Sequence, residues 1–206
     1  MIYKNKTEKL PAIKKAIFWD ENESDYKKKL NLIAGRPQHI TSGEDKRENI
    51  IEMNTPASSK KLTDGDIPTV INYDEKYWFK CARGLWREIT YDITKLSTVS
   101  EFSATLMYKA EGGVFLPSRF KVLVSEDCSV WETVYFEEYP TCDKAEEIIV
   151  IAAELKKKKR ARFVRFSFDL DMWVFIGQLQ VFGTKCVQKS AEAVKPDVKS
   201  DRKSVV

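Results

Sequence analysis

The side chains best placed to do chemistry are of two kinds: concentrated charge, and aromatic rings set beside charge. The densest charge is Lys156-Lys157-Lys158-Lys159-Arg160 with Arg162 and Arg165, seven basic groups in ten residues. Such a run can grip sulfate, phosphate or an anionic lipid surface through its summed potential. It can equally be a solvated turn before a strand, kept soluble by charge, and that is the expectation here. No aromatic interrupts the lysines, which argues against a single-stranded nucleic-acid groove. Rings beside charge occur twice. Tyr73, Tyr77, Trp78 and Phe79 precede Arg83, and Lys109 and Glu111 flank Phe115 and Arg119. A ring face stacks on an apolar C–H surface while neighbouring charged groups bond hydroxyls, a combination suited to sugars. The same rings, taken singly, can also plug the end of a core.

Catalysis finds no comparable pattern. There is no GxSxG, HExxH, P-loop or dinucleotide fingerprint, and His39 is the only histidine. A hydrolase would then need paired carboxylates. Glu137-Glu138 and Glu146-Glu147 fall in apparent loops and read as solvated charge. The chain is therefore expected not to be an enzyme. Cys81, Cys128, Cys142 and Cys186 lack the CxxC spacing of a zinc or redox site. Cys128 and Cys142 could pair across a hairpin, but four free thiols are expected.

The elements that must position these groups are strands. Phe102, Ala104, Leu106 and Tyr108 alternate with Ser103, Thr105 and Met107. Phe120, Val122 and Val124 alternate with Lys121, Leu123 and Ser125, and Val164, Phe166 and Phe168 with Arg165 and Ser167. A period of two puts one set on a core face and the other outward. Asp64-Gly65, Gly112-Gly113, Glu126-Asp127 and Tyr139-Pro140 mark turns between runs. Many short strands with polar turns predict a sandwich rather than a parallel α/β sheet. The run 148–155 suits either a helix or a strand.

Hydrophobic residues make up 43% of the 206, enough for one sizeable core with flanks. Net charge is +4, too mild a balance to predict a nucleic-acid partner. No apolar run reaches the roughly 20 residues of a membrane span, and none near the start serves as a secretory signal. The chain is expected to be either intracellular or part of a longer exported protein. Residues 1–30, rich in lysine and glutamate around an Ala16-Ile17-Phe18-Trp19 knot, read as a tether or the end of a preceding domain, with a short helix over 20–30 a weak option. Residues 184–206 read as a disordered tail.

Six fragments in order carry a resemblance: Asn31-Leu32-Ile33-Ala34-Gly35-Arg36-Pro37, Leu62-Thr63-Asp64-Gly65-Asp66 with Thr69, Trp86 with Asp92, Pro117-Ser118-Arg119-Phe120-Lys121-Val122 leading to Ser125-Glu126-Asp127 and Trp131, Arg162-Phe163-Val164-Arg165, and Gln178-Leu179-Gln180-Val181-Phe182-Gly183. Over residues 31–183 the chain resembles the discoidin or factor V/VIII type C family, which includes family 32 carbohydrate-binding modules. The resemblance implies an all-β, discoidin-like (galactose-binding-like) jelly-roll sandwich of about eight strands that binds ligands through loops at one end. It places those loops at 43–61, 67–84 and 109–119. The disulfide tying the domain ends in many animal members is missing, since no cysteine precedes Cys81.

Two sites follow from the resemblance. The first is a structural Ca²⁺ held by Asp64, Asp66, Thr69 and Gln178. Calcium prefers six to eight oxygens with carboxylate charge, and Gln178 stands where the family has Glu, so affinity should fall. Asp64-Gly65 could instead be only a tight turn. The second is a glycan site in which Tyr77 or Trp78 stacks on a ring and Lys109, Glu111 and Arg119 bond hydroxyls, with Phe115 nearby. His39 lies too early for the histidine of galactose-binding relatives and is expected at a strand surface. Cys128 replaces a glycine of the family's hairpin, so a looser turn is expected there. The function implied is weak, non-catalytic glycan binding by a module of a surface or secreted protein. The alternatives are an intracellular protein-interaction module, and binding to an anionic membrane or glycosaminoglycan through a Phe115-Leu116 spike supported by Lys156 to Arg160.

Overall fold

In the computed structural model, residues 29–42, 56–81, 86–138, 144–170 and 172–185 are described. The flanks 1–28 and 186–206, most of the loop 43–61, Arg83, the Tyr139-Pro140 turn, Cys142 and Cys186 lie outside them. So does the test of a Cys128–Cys142 bridge; Cys81 and Cys128 are free thiols.

The described chain is almost entirely strand. In order come β1 (Leu30–Asn31), β2 (Gln38–Ser42), helix α1 (Pro56–Lys61), β3 (Phe79–Cys81), β4 (Trp86–Lys109), β5 (Arg119–Ser125), β6 (Glu132–Glu138), β7 (Glu146–Asp169) and β8 (Val174–Lys185). All pairs are antiparallel. The run 148–155 lies inside β7, and its residues 148–154 pair one by one with β4. Its β-branched isoleucines and valine, and a strand-length partner, outweigh its helix formers. Glu137, Glu138, Glu146 and Glu147 also lie in strands, not loops. β8 continues through Thr184 and Lys185, two residues past the expected start of the tail.

β4 and β7 are long enough to belong to both layers of a sandwich. Residues 86–92 of β4 and 163–169 of β7 join β2, β5 and β6. Residues 97–109 of β4 join β8 and residues 146–161 of β7, and β1 and β3 pair with β8. A register break between Asp92 and Ser97 marks the crossing between layers. Phe102 of one layer meets Phe120, Phe166 and Tyr135 of the other, with ring centroids 6.5, 6.5 and 4.7 Å apart. These contacts show that the two layers face one another.

The expected alternation is reproduced. Phe102, Ala104, Leu106, Phe120, Val122, Val124, Val164, Phe166 and Phe168 all enter the core. The opposite set, Ser103, Thr105 and Met107, is buried too. The segment after α1 lies over that outer face and carries Trp78, which forms a second cluster with Met107, Val114 and Phe175. Gly177 lets it approach: a side chain there would run into Pro68 and Trp78.

The β5–β6 turn is not loosened by Cys128. Ser125 Oγ accepts from the Cys128 N–H (2.9 Å), and Asp127 Oδ1 accepts from Ser129 and Val130 N–H (2.9 and 3.1 Å). Cys128 adopts the left-handed conformation that glycine would favour, with φ +68°.

Candidate functional site

Both layers end opposite the crossing. The ends of β4 (Trp86 and Lys109), the starts of β5, β7 and β8, and the far ends of β2 and β3 therefore share one tip. There β4 turns back at once. Lys109 and Val114 exchange backbone bonds of 2.9 and 3.1 Å, enclosing a single 3₁₀ turn over 110–112. Gly113 closes it with φ +69° and donates to the Ala110 carbonyl at 2.9 Å. Phe115 N–H then bonds the Trp173 carbonyl (2.8 Å), tying this turn to the residue just before β8.

Tyr73 stands over this turn. Its hydroxyl lies where a side chain on residue 112 would be, so the close approach requires Gly112. Its ring meets Phe175 edge-on at 5.9 Å and stays 47% exposed. Met172, 37% exposed, covers Gly113. The loop carrying Tyr73 is held by two Asx turns: Asn72 Oδ1 accepts from Asp74 N–H (3.1 Å), and Asp74 Oδ1 from Lys76 N–H (2.8 Å). Lys109 is ion-paired with Glu146. The hydrogen bond to Glu146, with Tyr73 and Glu111 also near, holds the ammonium above its ordinary pKa. Arg119 reaches Asp169 at 2.7 Å across the same tip. Tyr73, Lys109, Glu111 and Glu146 thus form one group, with an apolar shelf beside charged donors and acceptors.

The expected ring platform needs correction. Trp78 is fully buried, and its indole N–H donates to the Val70 carbonyl at 3.3 Å, so no sugar can stack on it. Tyr77 is half-buried against the second cluster, with the Lys76 ammonium 5.5 Å from its ring centre. Phe115 is half-buried, its ring 6.1 Å from Tyr108. The exposed ring is Tyr73. Its signal in the sequence was its place among Asn72, Asp74 and Glu75, whereas Trp78 directly precedes the strand β3 that Phe79 begins. Glu146, read as solvated charge, belongs beside Lys109. His39 is exposed on β2, opposite Thr90.

The membrane-spike reading is also undone. Lys156 to Lys158 occupy the register gap between Val99↔Lys159 and Glu101↔Glu154, on the crossing side of the sandwich. Ser100 and Lys109 are nine positions apart along β4, roughly 30 Å of strand. Phe115 and the lysines cannot face one surface, and Leu116 packs toward the core.

The four expected calcium ligands do not assemble as a cation cage. Asp64 makes an Asx turn, accepting from Asp66 N–H at 2.9 Å, and its other oxygen lies 2.6 Å from Lys61 Nζ. The Asp66 side chain is 87% exposed, and Thr69 is exposed. Gln178, fully buried, has one amide orientation that satisfies all its neighbours. In it the nitrogen donates to Asp64 Oδ1 (3.2 Å) and the Lys61 carbonyl (2.8 Å), and the oxygen accepts from Gly65 N–H (3.0 Å). In that orientation the amide beside Asp64 is a donor, where a metal would need another oxygen. Among the described residues no three acidic, histidine or cysteine side chains are grouped as metal ligands.

Neither a family model nor a curated relative matches the sequence. Solved structures do match. A chitosan-binding module of a chitosanase/glucanase from Paenibacillus sp. IK-5 superposes with a TM-score of 0.50 at 18% identity, covering 75% of this chain and 99% of that one. The chain has the galactose-binding-like β-sandwich fold. The C-terminal domain of a Bacteroides fragilis chitobiase gives 0.50 at 18% identity over 77% and 99%. The lectin domain of lectinolysin, solved with Lewis b antigen, gives 0.50 at 14% over 75% and 97%. The galactose-binding-like domain of this chain accordingly spans nearly the full length of each of these domains.

Proposed function

We propose that the protein is a non-catalytic carbohydrate-binding module of a surface or secreted protein, and that glycan binds at the tip bearing Tyr73. The observation that carries this reading is the exposed Tyr73 ring beside the Lys109–Glu146 pair, Glu111 and Met172. The ring and the methionine offer an apolar shelf for the C–H face of a sugar, and the charged groups bond its hydroxyls. Arg119, with Asp169, extends the polar rim. Fold-mates that are chitosan-binding or lectin domains support the assignment. Affinity is weak, because a shallow surface makes few contacts and still loses the freedom of the ligand.

A glycan array with the whole chain tests this, alongside Tyr73→Ala and Lys109→Ala. Binding to a defined glycan that Tyr73→Ala lowers at least about tenfold, roughly 1.4 kcal/mol, with melting unchanged, is expected. Binding that survives both substitutions would place the site elsewhere, and a folded chain that binds no glycan would end the reading.

A further inference from the structure

We propose that Lys61 takes the place of a bound divalent cation in the 61–66 loop, so that this loop is closed and stable without metal. The loop needs positive charge. It brings the carboxylates of Asp64 and Asp66 together one turn after α1, on the rim of the segment that carries Pro68, Trp78 and Tyr73 across the outer face of β8 and β4. Asp64 is the partly buried member, with 31% of its side chain exposed against 87% for Asp66, so the need for a cationic partner falls chiefly on Asp64. Lys61 Nζ lies 2.6 Å from Asp64 and 3.4 Å from Asp66, and so supplies the charge from within the chain. Its side chain is only 21% exposed, which fixes the ammonium in the loop rather than in solvent.

Gln178 completes the arrangement. It is buried in β8 opposite Thr105, and in the amide orientation that satisfies its neighbours it bonds both ends of the loop, donating to Asp64 and the Lys61 carbonyl and accepting from Gly65. A glutamate there would bring an acceptor toward Asp64 Oδ1 and the Lys61 carbonyl, and add negative charge that Lys61 alone would have to balance. A neutral amide matches one internal cation, as a carboxylate would match a divalent ion. The Lys61 and Gln178 pairing is thus a coherent pair of choices. Leu62 and Thr63 are buried, and the Leu62 carbonyl accepts from Leu179 N–H at 2.7 Å, so the loop is bonded directly to β8.

The test reads thermal melting of the full chain and needs no glycan, so it stands or falls apart from the carbohydrate assignment. Wild type, after chelation, is melted with and without millimolar CaCl₂, beside Lys61→Met and Gln178→Glu. Wild type is expected to melt at the same temperature in both conditions. Lys61→Met is expected to melt several degrees lower (about 3 °C or more, the shift that roughly 1 kcal/mol produces in a domain of this size) and to recover part of that loss in CaCl₂. Gln178→Glu, which keeps Lys61, separates a specific loss from general fragility: it too is expected to melt lower without metal. A calcium-dependent rise in wild-type melting, or a Lys61→Met protein as stable as wild type in chelator, would overturn the proposal. So would a Gln178→Glu protein as stable as wild type in chelator.

Discussion

Thr94 has φ +69°, an unfavourable backbone for a β-branched residue. It follows Asp92-Ile93 at the crossing between layers. Asp92 Oδ1 accepts from Thr94 N–H at 2.6 Å and holds it there, while Arg162 grips the same carboxylate at 2.9 and 3.1 Å. The left-handed conformation costs an L-residue about 1–2 kcal/mol, a cost glycine avoids. Thr94→Gly is therefore expected to stabilise by about 1 kcal/mol, less what glycine's greater unfolded-state freedom removes. Urea melts of the two proteins check this: the midpoint should rise at constant slope, and a fall would mean that the threonine side chain contributes more than its backbone costs.

The 3₁₀ turn and the Tyr73 loop act as a single element at the tip, although they are far apart in sequence. Gly112 is where they meet, because a Cβ there would occupy the space of the Tyr73 hydroxyl. Gly112→Ala must push Tyr73 aside, and the ring is the part free to move. Glycan binding is expected to fall several-fold, with melting close to that of wild type; calorimetric titration against the glycan found on the array measures it. Unchanged binding would show that the ring's position over the turn is irrelevant. Strand existence and facing were legible here from alternation alone, as at Phe120, Val122 and Val124. The tip was not. Whether an aromatic next to a strand faces water depends on what lies across it. Trp78 is covered because Met107, Val114 and Phe175 lie beneath it, and those partners come from two separate stretches of chain, β4 with its turn-back and β8.

At the scale of the molecule, charge linkage sets the pH range of stability. Asp127 is held far below the ordinary carboxylate range by the Ser129 hydroxyl and by backbone N–H groups, and Asp92 is lowered chiefly by its bond to Arg162. A depressed folded-state pKa stabilises above the unfolded value, about 3.9, and that stability is lost as pH falls below it toward the folded value. Burial pushes Tyr91 upward; its hydroxyl has no partner among the described residues. Asp64 and Glu146 raise Lys61 and Lys109. A raised folded pKa stabilises below the unfolded value and is lost as pH rises, here from about 10 upward. Melting temperature is expected to be level from about pH 5 to 9 and to fall on both sides. Asp127→Asn should flatten the acid fall; an identical acid limb in that variant would remove Asp127 as a cause.

The sequence by itself determined that the chain is a β-sandwich, which residues alternate into its core, and that turns fall at Asp64-Gly65, Gly112-Gly113 and Glu126-Asp127. These are local properties, set by a two-residue period and by residues suited to turns. Only the tertiary structure decided which ring is exposed, that Glu146 meets Lys109, and that the lysine run and Phe115 lie at opposite ends. It alone brought the Lys61 ammonium and the Gln178 amide beside Asp64. Each of these depends on strands that pair across long stretches of chain, such as β4 with β7 and β8, and a one-residue change in register would exchange every neighbour.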